Sequence, residues 1–219
     1  MSRTAQFSIV LLISILMPRF AGAEDADFGK LQAFTQGNFY RQLINQTFAK
    51  LPQVVFKRCP AFVSNGSQIT ILTPVSYAAS GFPIAGSWKH RFPVSGCGND
   101  TIWTLYATAE ADEKINIVIA APGTTAADLT LQRDAYRYAT LQAGLIANDC
   151  KSSFQVMNTK FEGFGLASPK MNDPGEGQPH RPWRETWTMI GCSRQIDVPL
   201  NFIPDDKGTQ IMRPGAIER

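Results

Sequence analysis

Two segments of the chain alternate apolar and polar residues on nearly the same word. From Trp88 to Cys97 the sequence reads WKHRFPVSGC, and from Trp183 to Cys192 it reads WRETWTMIGC. Side chains alternate across a strand, so Trp88, His90, Phe92 and Val94 share one face, with Lys89 and Arg91 on the other. In the second segment Trp183, Glu185, Trp187 and Met189 share the equivalent face, opposite Arg184, Thr186 and Thr188. One apolar face and one polar face predict an antiparallel sheet covered on one side. Downstream, Trp103, Leu105 and Ala107 continue the alternation in one case, and Val198, Leu200 and Phe202 in the other. The turn-forming words ADEK (111–114) and DDKG (205–208) predict hairpins leading to last strands at Ile115–Ala120 and Thr209–Met212. Upstream, ITIL (69–72) and FQVM (154–157) read as the strands that precede the repeated word.

Helical spacing precedes each set of strands. Leu31, Phe34, Phe39, Leu43 and Phe48 predict a helical region over 27–50, interrupted at Gly37-Asn38. Leu131, Ala135, Tyr138, Leu141 and Leu145 predict a helix over 128–145 whose stripe packs in the core. Thr124, Thr125 and Asp128 are its N-cap candidates, and Gly144 or Asn148 can end it.

The two sets are in register. Cys97 and Cys192 are 95 residues apart, as are Trp88 and Trp183, and Cys59 and Cys150 are 91 apart. The last strands run to Pro-Gly at 122–123 and 214–215. A period this long, present only twice, is a duplication rather than a solenoid, which needs three or more stacked units. The expected fold class is α+β: two tandem repeats, 24–123 and 124–219, each a helical region packed on a four-stranded antiparallel sheet.

Residues 1–23 read as an export signal, with Arg3, an apolar run from Phe7 to Met17, and the small-residue site Ala21-Gly22-Ala23. Cleavage there removes Arg3 and Arg19, leaving 21 − 2 = 19 Lys and Arg against 18 Asp and Glu. So small a charge, without a basic run, gives no footprint for nucleic acid or for stable membrane attachment. In an exported chain the four cysteines predict disulfides, for which three pairings exist. If each half keeps its own bond, the pairs are Cys59 with Cys97 and Cys150 with Cys192. A metal site is the competing use, but Cys-x-x-Cys spacing does not occur, and no metal or other cofactor is expected.

Helix followed by four antiparallel strands resembles the cystatin-like plan, and in tandem it looks like the beta-lactamase inhibitory proteins, without their motifs. The repeated Trp to Gly-Cys words and the Pro-Gly ends are similar to those of an uncharacterised family of exported proteobacterial proteins, and to Legionella-type secreted substrates. The resemblance covers the chain after the signal and implies a periplasmic or secreted location, but no chemistry.

Candidate chemistry is sparse. The chain has two histidines. His90 occupies the position that Glu185 holds in the second word, and together they are the one acid and base pair that a pseudo-symmetric fold would unite, as in a small hydrolase. The simpler reading places both at the margin of a core. No Gly-x-Ser-x-Gly elbow and no phosphate-binding glycine loop occurs. The unequal segments between the first strand of each set and the repeated tryptophan are the expected binding surface for a protein or envelope component. Tyr77, Phe82, Met171, His180 and Arg181 are its candidate contacts, being of types that contact surfaces favour. The sequence therefore points to a non-enzymatic exported binding protein, with the hydrolase as the alternative.

Overall fold

The computed structural model describes residues 22–51, 63–64, 66–95, 101–165 and 181–214. Two helices open the fold, α1 (Gly22–Gln36) and α2 (Asn38–Phe48), parted at Gly37 as the sequence predicts. The strands β1 (Val63–Ser64), β2 (Gln68–Tyr77), β3 (Pro83–Ser95), β4 (Thr101–Glu110) and β5 (Lys114–Ile119) form an antiparallel sheet in which β1 and β2 both pair β3. Helix α3 (Leu129–Ile146) follows, then β6 (Gln155–Phe164), β7 (Trp183–Gly191), β8 (Arg194–Asp205) and β9 (Gly208–Met212), a four-stranded antiparallel meander. The class is α+β, as expected.

The register explains why the alternation was so clean. In the first sheet Trp88 pairs Ala107, His90 pairs Leu105 and Phe92 pairs Trp103. In the second, Trp183 pairs Phe202, Glu185 pairs Leu200 and Trp187 pairs Val198. These pairs lie on the helix side of each sheet, where cross-strand neighbours stabilise one another; Phe92–Trp103, Trp183–Phe202 and Trp187–Val198 join apolar side chains directly. The hairpins turn where predicted. Ala111, Asp112 and Glu113 link β4 to β5, with Glu113 in the left-handed conformation that closes three-residue hairpins, and Asp206-Lys207 link β8 to β9.

Each sheet has its own core. Leu31, Tyr40, Val75, Trp88, Ala107 and Ala109 bury the first, around rings of Phe34, Tyr40 and Trp88 whose centroids lie 5.6–6.3 Å apart. The second buries Phe154, Trp183, Trp187, Met189, Leu200 and Phe202 under α3, with Trp183 stacked on Phe202 at 4.8 Å.

Helix α3 buries only part of the predicted stripe: Ala135 is fully buried and Leu131 and Tyr138 pack against the core, but Leu141 and Leu145 do not. Asp128 caps it as expected, accepting from Leu131 N–H, and Ala147 ends it where Gly144 or Asn148 was expected. Its buried residues are Gln132, Ala135, Ala139, Gln142 and Ala143, whereas Leu141 and Leu145 are 62% and 65% exposed. The reason is steric: the sheet beneath already supplies Trp183, Trp187 and Phe202, and the helix meets this core through the small side chains of Ala135, Ala139 and Ala143.

The left-handed residues of the β7–β8 turn are Cys192 and Ser193, not Gly191. Two such residues make a two-residue turn whose twist suits a hairpin. Gly191 is required for space: a Cβ there would lie 2.7 Å from the Phe154 ring. Cys192 forms the predicted bond with Cys150, at the exit of α3, with Cα atoms 5.8 Å apart. An ion pair of Arg194 with Asp149 closes the same corner. Such bonds persist in oxidising compartments. Cys59, Cys97, Met171, His180, Gly215 and the predicted signal through Ala21 lie outside the described residues. Among the described residues, no helix is long and apolar enough to cross a membrane.

Candidate functional site

The segment from Ala120 to Asp128 joins the two sheets, and nearly every amide in it has an assigned acceptor. Ala120 and Gly123 donate to the carbonyls of Thr104 and Ile102 on β4, at 2.9 and 2.7 Å. Ala121 donates to Gln132 Oε1, Thr124 to the Thr159 carbonyl, and Thr125 to Thr159 Oγ1. Ala126 donates to Glu185 Oε1 at 2.8 Å, and Ala127 to Thr125 Oγ1. Gly123 and Thr159 form a parallel bridge, and Thr159 N–H returns a bond to Pro122. Gly123 has φ +112, and a Cβ there would overlap the backbone of Thr159, so the Pro-Gly word exists to let two chains touch. A further bond, Thr101 Oγ1 to Asn158 Oδ1 at 2.9 Å, crosses the same seam.

A cleft of 340 Å³ opens beside this segment. Its floor is the helix-free face of the first sheet. Lys89 faces Tyr106 across β3 and β4, and Arg91 faces Thr104. The joining segment, Gln132, and Phe161 and Phe164 of β6 complete its lining. Neither Lys89 nor Arg91 pairs with a carboxylate among the described residues. Burial pushes the Tyr106 hydroxyl pKa up, the charge of Asp128 adds to the rise, and Arg91 opposes it. The site therefore combines two basic groups and two hydroxyls on one strand pair with an apolar wall facing them. Cavities of about 300–1,000 Å³ with a few convergent polar groups are the usual form of small-ligand sites.

The acid and base candidates are not hydrogen-bonded to each other. His90 is 3% exposed, stacked on Tyr40 at 5.7 Å and against Phe92 at 4.0 Å, and neither ring nitrogen has a partner. Burial lowers its pKa to about 4, so it is neutral at physiological pH. Glu185 is 1% exposed, and both of its oxygens are engaged. Oε1 accepts from Ala126 N–H and from Trp183 Nε1 at 2.9 Å, and Oε2 accepts from Trp187 Nε1 at 2.8 Å. In the first sheet the corresponding indole, Trp88, donates instead to Tyr40 Oη at 3.2 Å. With its oxygens filled by three donors, Glu185 serves as a structural acceptor that ties the joining segment to the second core.

Tyr77 and Phe82 are engaged inside the first half. Tyr77 Oη donates to the Asp27 carbonyl at 3.1 Å and its ring lies under Lys30 Nζ at 5.4 Å. The Phe82 ring meets Phe34 at 5.1 Å and Phe39 at 5.3 Å. Both pin the β2–β3 hairpin to the helices. Arg181 is exposed at the foot of β7, where Gly165 N–H bonds the Pro182 carbonyl next to Phe164.

Lys89, Arg91, Tyr106, Phe161 and Phe164 were not singled out from sequence. The usable signal was two basic residues at i and i+2 on the wet face of a strand otherwise built for a core. Among the described residues no group of three His, Cys, Asp or Glu side chains is placed to hold a metal. Compared with known proteins, the chain matches no protein-family model, no curated protein and no solved structure.

Proposed function

We propose that this chain is an exported, disulfide-stabilised, non-enzymatic binding module that engages a protein or envelope component at the cleft where its two halves meet. The observation that carries the reading is the cleft itself: Lys89 and Arg91, neither paired with a carboxylate among the described residues, line it together with Phe161 and Phe164, beside a segment whose amides are nearly all satisfied. A frame fixed in this way binds without first paying to order its walls. The Cys150–Cys192 bond and the apolar run from Phe7 to Met17 support export. The halves are read as tandem repeats because His90–Leu105 and Glu185–Leu200 are the same pairing shifted by 95 residues, as are Trp88–Ala107 and Trp183–Phe202.

The experiment is affinity capture from envelope extracts with the oxidised chain, residues 24–219, beside an Ala126→Trp bait. Ala126 is exposed on the cleft wall, and its backbone bond to Glu185 does not depend on its side chain. A component retained by the first bait and lost from the second supports the reading. Identical capture by both baits removes the cleft from it.

A further inference from the structure

The cleft has two chemically distinct sides, and together they specify a class of ligand. Lys89 and Arg91 are two residues apart on β3, so their side chains leave the same face at neighbouring positions. Tyr106 and Thr104 stand directly across from them on β4, which brings two cations and two hydroxyls onto one small area of sheet. All four are half-buried, a setting in which hydrogen bonds to an anion are stronger than in open solvent. Among the described residues no carboxylate lines the cleft. Asp128, whose charge acts on Tyr106, is committed by its Oδ1 to the N-terminus of α3.

The facing wall is apolar. Phe161 and Phe164 contact each other edge to face at 5.1 Å, and Phe164 is 60% exposed although no function of the fold needs it so. The alanines of the joining segment extend that surface. The amides beneath them are spent on Gln132, Thr159 and Glu185, so this wall offers an incoming group little but methyls, threonine hydroxyls and ring faces.

Building on the cleft reading above, we infer that the seam binds a small amphiphilic anion: a carboxylate or phosphate head held by Lys89, Arg91 and Tyr106, with a short apolar body against Phe161 and Phe164. The guanidinium of Arg91 supplies paired donors suited to either head, and Lys89 supplies a second charge. The volume of 340 Å³ admits a head and a short body, not a large ligand.

The test is isothermal titration of the oxidised chain with octanoate, octyl phosphate, inorganic phosphate, octanol and octyltrimethylammonium. Both anionic amphiphiles are expected to bind, to weaken as salt rises, and to lose at least about ten-fold in affinity in the Lys89→Gln, Arg91→Gln double variant, as charge-assisted bonds are removed. Octanoate against octyl phosphate shows which head is preferred. Phe164→Ala keeps both cations and is the second probe: it should weaken octanoate while leaving inorganic phosphate unchanged. It also keeps the test decisive if the double variant does not fold.

Octanol binding as tightly as octanoate, unchanged affinity in the charge variant, or no anion binding up to roughly 10 mM overturns the inference. Neutral, cationic and anionic amphiphiles that all bind, and are all lost in Ala126→Trp, would leave the cleft a binding site without anion selectivity. Octanoate heat that persists in Ala126→Trp would place the binding elsewhere and take the cleft reading down as well.

Discussion

Replacing Glu185 by alanine withdraws the acceptor from three N–H groups at once: the backbone of Ala126 and the indoles of Trp183 and Trp187. At 1% exposure the site does not readily admit water in their place. A buried donor left without a partner costs about 1–3 kcal/mol, so three at the lower bound come to about 3 kcal/mol. The vacated volume adds roughly 1 kcal/mol, and relief of the carboxylate's desolvation takes back a similar amount. The expected net loss is about 3 kcal/mol, a large part of a domain's stability. Glu185→Gln separates the contributions. Its carbonyl oxygen can keep the Ala126 and Trp183 donors, but its amide NH₂ confronts the Trp187 N–H, at a cost of about 1–2 kcal/mol. Trp187→Phe removes that donor, so the glutamine should cost at least about 1 kcal/mol less in the phenylalanine background. Urea unfolding of the oxidised chain at pH 7, comparing midpoints at constant slope, measures all four corners of the cycle. An alanine variant within about 0.5 kcal/mol of the parent, or a glutamine cost equal in both backgrounds, would refute the acceptor role.

Three further outcomes follow from the same geometry. His90, with its pKa lowered from 6.5 to about 4 by burial, takes up a proton in the unfolded chain before it does in the folded one. Its contribution is therefore intact above pH 6.5 and is lost as pH falls towards 4, by up to roughly 3 kcal/mol. His90→Phe, which retains a ring against Tyr40, should flatten the unfolding midpoint over that interval; an unchanged pH profile would contradict it. Gly123→Ala, at φ +112 and with Thr159 in the way, is expected to lose at least about 3 kcal/mol by thermal or urea melts, and near-parental stability would mean the bridge is dispensable. On α3, Ala139→Leu should cost about 1–3 kcal/mol by overpacking, whereas Leu141→Gln should stay within about 0.5 kcal/mol; the reverse order would show that the leucine face is the buried one.

That last pair marks where sequence reasoning stopped. Strand faces were legible because period two leaves only two choices, and Trp88, Phe92, Trp183 and Trp187 settled which one faces the helix. The cap at Asp128, the β4–β5 and β8–β9 turns and the Cys150–Cys192 bond were legible for similarly local reasons. The buried face of α3 was legible only at Leu131, Ala135 and Tyr138, since alanine and leucine are both apolar and a helix carrying both offers two stripes. Only the size of the aromatic side chains in the sheet beneath chooses between them. Glu185 was visible as an acid on a tryptophan face, and its two indole partners lie only two residues away, but the amide of Ala126 is 59 residues distant. The cleft required more: its cations were visible on the wet face of β3, while its aromatic wall comes from β6, across the seam.

The three hydrogen bonds accepted by Glu185 have one more use. The carboxylate that holds Ala126 on the cleft wall also holds the indole N–H of Trp183 and Trp187. Indole emission responds to the hydrogen bond and the charge at its nitrogen, so a ligand that displaces the joining segment changes the surroundings of two of the chain's four tryptophans. Any displacement of that segment can thus be followed without a label, through a single side chain.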